Sequence, residues 1–158
     1  MYLDEQYKIV PLMAPADHGG STNSAGLDIS NAHHVTIIML LGAQTNALAQ
    51  VNVKYGTAHG TMAADLPTLY AWRTNADIGA VAGDKLTNAV TREAGEEYFF
   101  IPADDNRMIV IEVPVSEIPA GNNWIRVEIG DQGTDTFASI VAIVQPRYQP
   151  LATAVRLA

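Results

Sequence analysis

A chain of 158 residues is sized for one domain, and a hydrophobic fraction of 48% excludes a disordered polymer. Nine Lys and Arg stand against 17 Asp and Glu, a net charge of −8, and no basic run interrupts that surface, which excludes nucleic acid as a direct partner. The chain has no cysteine, so disulfide frameworks, thiol catalysis and Cys-ligated zinc fall together.

The opening MYLDEQYKIV has no basic stretch ahead of an apolar core and does not read as a signal peptide. Tyr7 to Val10 pattern as a strand, and Pro11 confines it to a sheet edge. Residues 19–24, GGSTNS, form a loop by composition. Residues 25–29 read as a short strand closed by Ser30 and Asn31. Residues 33–41 are rich in β-branched and apolar side chains and end at Gly42, the pattern of a strand buried on both faces. The longest apolar run, 35–41 broken by Thr36, falls far short of the ~20 residues of a membrane span.

Residues 50–55 alternate without fault, with Val51, Val53 and Tyr55 on one side and Gln50, Asn52 and Lys54 on the other. Residues 63–66 read as a single helical turn stopped by Pro67. Residues 69–73 and 87–91 read as strands, while the Gly- and Ala-rich stretch between them has no clear period. Residues 97–101 and 108–115 pattern as a strand pair across the turn 102–106. Residues 122–129 and 136–144 complete the series. About eight to ten short strands, at roughly 10–12-residue spacing and without a long amphipathic helix, argue an all-β fold, an antiparallel sandwich of jelly-roll-like type. One domain, 1–158, is expected, with 1–15 a candidate N-terminal arm and 145–158 a C-terminal arm.

Residue chemistry offers no catalytic constellation. His33 and His34 are adjacent on a strand and face opposite ways, so they cannot share an ion; His18 and His59 lie in loops without a spaced partner. Asp104, Asp105 and Asn106, and Asp131 and Asp135 around Gly133, are acidic turns that lack the ligand spacing of a calcium loop. No metal, cofactor or catalytic residue is assigned. Residues 24–30, SAGLDIS, match the first motif of the dUTPase family, but that family's later aspartate segment and Gly-rich arm are missing. Trp72 and Trp124 read as core aromatics. Tyr148, beyond Pro146, sits in a tail and needs a pocket elsewhere.

The strand series resembles the small jelly-roll or Ig-like head decoration (cement) proteins of tailed bacteriophages. The likeness lies in Leu27-Asp28-Ile29-Ser30, the run from His34 to Gly42, Trp124-Ile125-Arg126-Val127-Glu128-Ile129, and the last strand leaving through Pro146-Arg147-Tyr148. It implies a non-enzymatic virion protein, synthesised in a host cytoplasm, that sits on the capsid exterior and cements the shell by bridging major capsid protein subunits. It also implies association with copies of itself, as dimer or trimer, and neither a nucleic-acid nor a membrane partner. Arg147, Tyr148, Leu151, Val155, Arg156 and Leu157 are the candidate partner-binding residues, because a short tail with this many apolar side chains suits an arm that orders on a neighbour. A phage tail or connector component, or a carbohydrate-binding β module, are the alternatives.

Overall fold

The computed structural model describes residues 6–44, 50–66, 70–74, 86, 90–92, 98–99, 106–130 and 136–147. Twelve strands appear among them: β1 (Lys8–Asp17), β2 (Thr22–Asn23), β3 (Leu27–Asp28), β4 (Ala32–Gln44), β5 (Gln50–Gly56), β6 (Ala64–Asp65), β7 (Tyr70–Thr74), β8 (Val90–Arg92), β9 (Tyr98–Phe99), β10 (Met108–Pro114), β11 (Trp124–Ile129) and β12 (Thr136–Pro146). They form two antiparallel sheets. The larger runs β1-β12-β4-β10-β7-β8, and the smaller runs β2-β11-β5-β6, with β3 added beside β11 and β9 beside β5. The expected all-β sandwich is the fold.

Strand alternation builds the core. In the larger sheet Val35, Ile37, Met39 and Leu41 of β4, Ile109, Ile111 and Val113 of β10, and Ala138, Ile140, Ala142 and Val144 of β12 face inward and are buried. They meet Val51 and Val53 of β5, Ile125, Val127 and Ile129 of β11, and Leu27 of β3 in one cluster. Each such side chain contributes about 1.5–3 kcal/mol by leaving water. β4 is the longest strand and lies between β12 and β10, as its β-branched composition favours.

Several local readings change. β4 is buried on one face only; its other side carries Leu40, which is 44% exposed. Of the expected pair 97–101 and 108–115, the described strands β9 and β10 do not pair with each other. β9 adds to β5 in the smaller sheet, whereas β10 lies between β4 and β7 in the larger. Ala64 and Asp65 form a strand against β5 rather than a helical turn, because Tyr55 and Lys54 offer open ladder groups there. Trp124 is only partly buried: alternation along β11 sends Ile125, Val127 and Ile129 inward and Trp124 outward.

The chain ends are partly tied down. From Lys8 onward the candidate N-terminal arm is β1, an edge strand paired to β12 alone, with register shifts after Pro11 and Met13. Proline lacks the N–H that a second neighbour would need, so an edge is where β1 can carry Pro11 and Pro15. At the other end, Gln145 and Pro146 belong to β12 and pair with His34 and Ala32.

Ser24 and two glycines hold the smaller sheet together. The Ser24 hydroxyl accepts the Val127 N–H at 2.9 Å and donates to the Ala25 carbonyl at 3.0 Å, so a buried polar side chain stands in the ladder between β2 and β3. A Cβ on Gly56 would lie 2.3 Å from the Thr61 carbonyl oxygen, so only glycine lets residues 61–62 cross β5 this closely. A Cβ on Gly26 would meet the His59 ring at 2.8 Å. The glycine and serine of the dUTPase-like segment thus have structural work to do here.

Candidate functional site

The same alternation that fills the core decides what the larger sheet shows outside. Register places Pro11, Val141, Ile38 and Val110 in one row across β1, β12, β4 and β10. The next row holds Ile9, Ile143, Thr36 and Glu112. On the far side of the Ile38 row, Leu40 stands between Ser139 and Met108. Phe137 lies beyond, against Gly42, where a Cβ would come within 2.9 Å of the Phe137 Cβ. Ile9, Leu40 and Phe137 are 48%, 44% and 45% exposed, the exposed large hydrophobics among the described residues. All three sit on this one face.

The face turns polar at one end. Glu112 Oε2 shares a hydrogen bond of 2.6 Å with His34 Nε2 and accepts from the Thr36 hydroxyl at 2.7 Å. Tyr7, Ile143 and Gln145 complete a recess of about 420 Å³ around the pair. Nothing in the residue pattern flagged it: His34 and Glu112 are 78 residues apart and meet only because β4 and β10 are neighbours.

Of the partner-binding residues expected from sequence, Arg147 is described and Tyr148, Leu151, Val155, Arg156 and Leu157 lie outside the described residues. Arg147 is held by its own fold: its N–H donates to the Asn31 carbonyl at 2.8 Å and its Nε to the Ala32 carbonyl at 2.9 Å. The pair of bonds ties Arg147 back to the start of β4. A second recess of about 400 Å³ adjoins Arg147, with Ile29, Val115, Ile118 and Pro119 among its lining.

The other candidates separate. His59 packs edge-on against Trp124, ring centroids 5.3 Å apart, and His18 and His33 join no cluster with other ligand-type residues. Among the described residues no group of three or more His, Cys, Asp or Glu could hold a metal ion. Asn106 adopts φ 54°, the left-handed turn conformation that Asn tolerates, and its N–H bonds to the Gly42 carbonyl at 3.3 Å. Asp104, Asp105, Asp131, Gly133, Asp135 and the side chain of Trp72 lie outside what is described.

No family model matches the chain, and no curated protein matches it. Among solved structures, the SPBc2 prophage-derived protein YomS aligns over 87% of this chain and 93% of its own, with 8% identity and a TM-score of 0.44. At that score the likeness settles neither the fold nor the function of this chain.

Proposed function

We propose that this chain is a structural virion protein that binds the outer surface of a phage capsid, bridges major capsid protein subunits and stabilises the shell without catalysis. The observation that carries the reading is the apolar outer face of the larger sheet, where Ile9, Leu40 and Phe137 are each nearly half exposed. Proteins that work alone in water rarely keep a contiguous apolar patch beyond a few hundred Å². In an assembly such a face is covered. The low charged fraction, 16%, fits a surface of which much is buried between subunits.

The strand series, which resembles head decoration proteins, supplies the kind of assembly. Binding to a symmetric shell multiplies modest contacts, so no single contact has to be strong. The Asn31 and Ala32 carbonyls hold Arg147 at the end of β12, and the sequence after it carries Tyr148, Leu151, Val155, Arg156 and Leu157, the side chains this reading assigns to the shell contact.

The test is co-sedimentation with expanded shells. The protein is expected to pellet with them and to raise their melting temperature; no shift at saturating protein overturns the reading. A chain ending at Arg147 is expected to stay folded and to lose shell binding.

A further inference from the structure

The recess beside Arg147 pairs an apolar floor with a single positive charge. The floor comes from Ile29, Val115 and Ile118, all of them buried. The rim is polar, and among the described residues that line it Arg147 is the one charged side chain. We propose that this recess is a socket for a carboxylate side chain, of the aspartate or glutamate type, presented by the surface to which the protein attaches. That the surface is the major capsid protein rests on the function proposed above; the carboxylate chemistry does not.

The guanidinium is the first argument. It carries five N–H donors in a flat fork. Arg147 gives one of them, on Nε, to the Ala32 carbonyl at 2.9 Å, while its backbone N–H holds the Asn31 carbonyl at 2.8 Å. The donors on its two terminal nitrogens have no partner among the described residues. Those two nitrogens match the two oxygens of a carboxylate, and a fork already ordered loses little freedom on binding. Lys54 and Arg126 find their carboxylates within the fold, at Asp65 and Glu128. Arg147 belongs to a chain with 17 Asp and Glu, yet joins no ion pair among the described residues.

The walls are the second. The Ile29 N–H donates to the Asn123 carbonyl at 2.8 Å, and the Asn122 N–H and side-chain amide both donate to the Pro119 carbonyl, at 3.2 and 3.0 Å. Three separate parts of the chain are thus fixed around the recess before any ligand enters. Its volume of about 400 Å³ lies within the ~300–1,000 Å³ of small-ligand sites. Ser30 and Ser116 bring hydroxyls that have no partner among the described residues and can donate to a carboxylate oxygen. The apolar floor suits the methylene stem of an acidic side chain. A polyanion does not fit: one cation on a chain of net charge −8 cannot hold a run of phosphates against the repulsion of the rest.

An NMR titration of the full chain, at constant ionic strength and neutral pH, tests the socket without any shell present. N-acetylglutamate methylamide carries one carboxylate on a neutral backbone. It is expected to shift the Arg147 Nε–H and the Ser30 and Ser116 amide signals, half-saturating on the order of 10 mM, as one charge-assisted contact supports. The glutamine counterpart has the same shape without the charge and is expected to bind at least roughly fivefold more weakly. Arg147→Lys keeps the charge, loses the fork and is expected to weaken the glutamate probe at least about threefold. Ser116→Glu leaves Arg147 in place and sets a competing carboxylate on the rim, with the same expected loss; melting curves show both variants folded. Equal binding of the two probes, tighter binding of inorganic phosphate at these signals, or parent-like binding by both variants overturns the proposal. Pelleting with shells is read separately. An Arg147→Gln chain that loses the probe but pellets like the parent also overturns it, whereas a parent that binds the probe and never pellets sinks the capsid reading and leaves the socket.

Discussion

The two outward faces of the sandwich are made by one rule and come out with opposite chemistry. On the smaller sheet the residues sent outward include Lys54, Arg126 and Glu128, and each charge finds a partner. Lys54 and Arg126 sit directly across from each other, an unfavourable pairing by itself. Asp65 answers Lys54 at 2.6 Å, and Glu128 answers Arg126 at 3.2 Å. On the larger sheet the outward positions include Ile38, Leu40, Val141 and Ile143; of the two described acids there, Glu112 is tied to His34 and Asp17 lies at the other end, across from Phe137. Water is an adequate partner for the first face. The second costs free energy for as long as it stays bare, which is why an assembly role is placed there.

Adjacent residues of β4 give the hardest test of that contrast. Ile37 is fully buried between the sheets, so Ile37→Ala is expected to cost about 2–5 kcal/mol, read from the urea midpoint. Leu40→Thr, on the outer face, is expected to change the stability of the dilute protein by no more than about 0.5 kcal/mol. Equal losses would mean that both sides of β4 are core.

Smaller effects probe the polar side. Gly56→Ala must displace the Thr61 backbone, and an expected loss of about 1–3 kcal/mol should appear as a lower Tm. Ser24→Ala leaves the buried Val127 N–H without its acceptor, at a cost of about 1–3 kcal/mol. Faster hydrogen exchange at that amide would report it; unchanged protection would show that the hydroxyl is dispensable. Asp65→Asn removes a half-exposed ion pair and is expected to cost about 0–1 kcal/mol, with sedimentation unaltered.

Legibility followed the range of the physics. The alternation of residues 50–55 was readable because it is local, and Val51 and Val53 do point into the core. Pro11 marked an edge because a missing N–H is a property of one residue. The run 33–41 was harder: a continuous apolar strand looks the same whether its second face meets a sheet, a partner or solvent, and here Leu40 is open. Residues 97–101 and 108–115 resembled a hairpin because they are near in sequence, yet β9 and β10 join different sheets. Trp124 looked like core by its size, but its place in the β11 alternation turns it outward.

The feature on which the proposed function rests was the least visible. Every residue of the apolar face was on the page from the beginning, but nothing local says that Ile9, Val141, Ile38 and Val110 line up from four distant parts of the chain. Nor does anything local bring Glu112 to His34. Composition, strand periodicity and turn chemistry determined by themselves that this chain is acidic, all-β and a sandwich, since those depend on residue type and on neighbours one or two positions away. Only the tertiary structure decided which strands share a sheet, where each register falls and which outward face stays apolar. Those depend on pairings between strands tens of residues apart, and the pattern within one strand does not encode its partner.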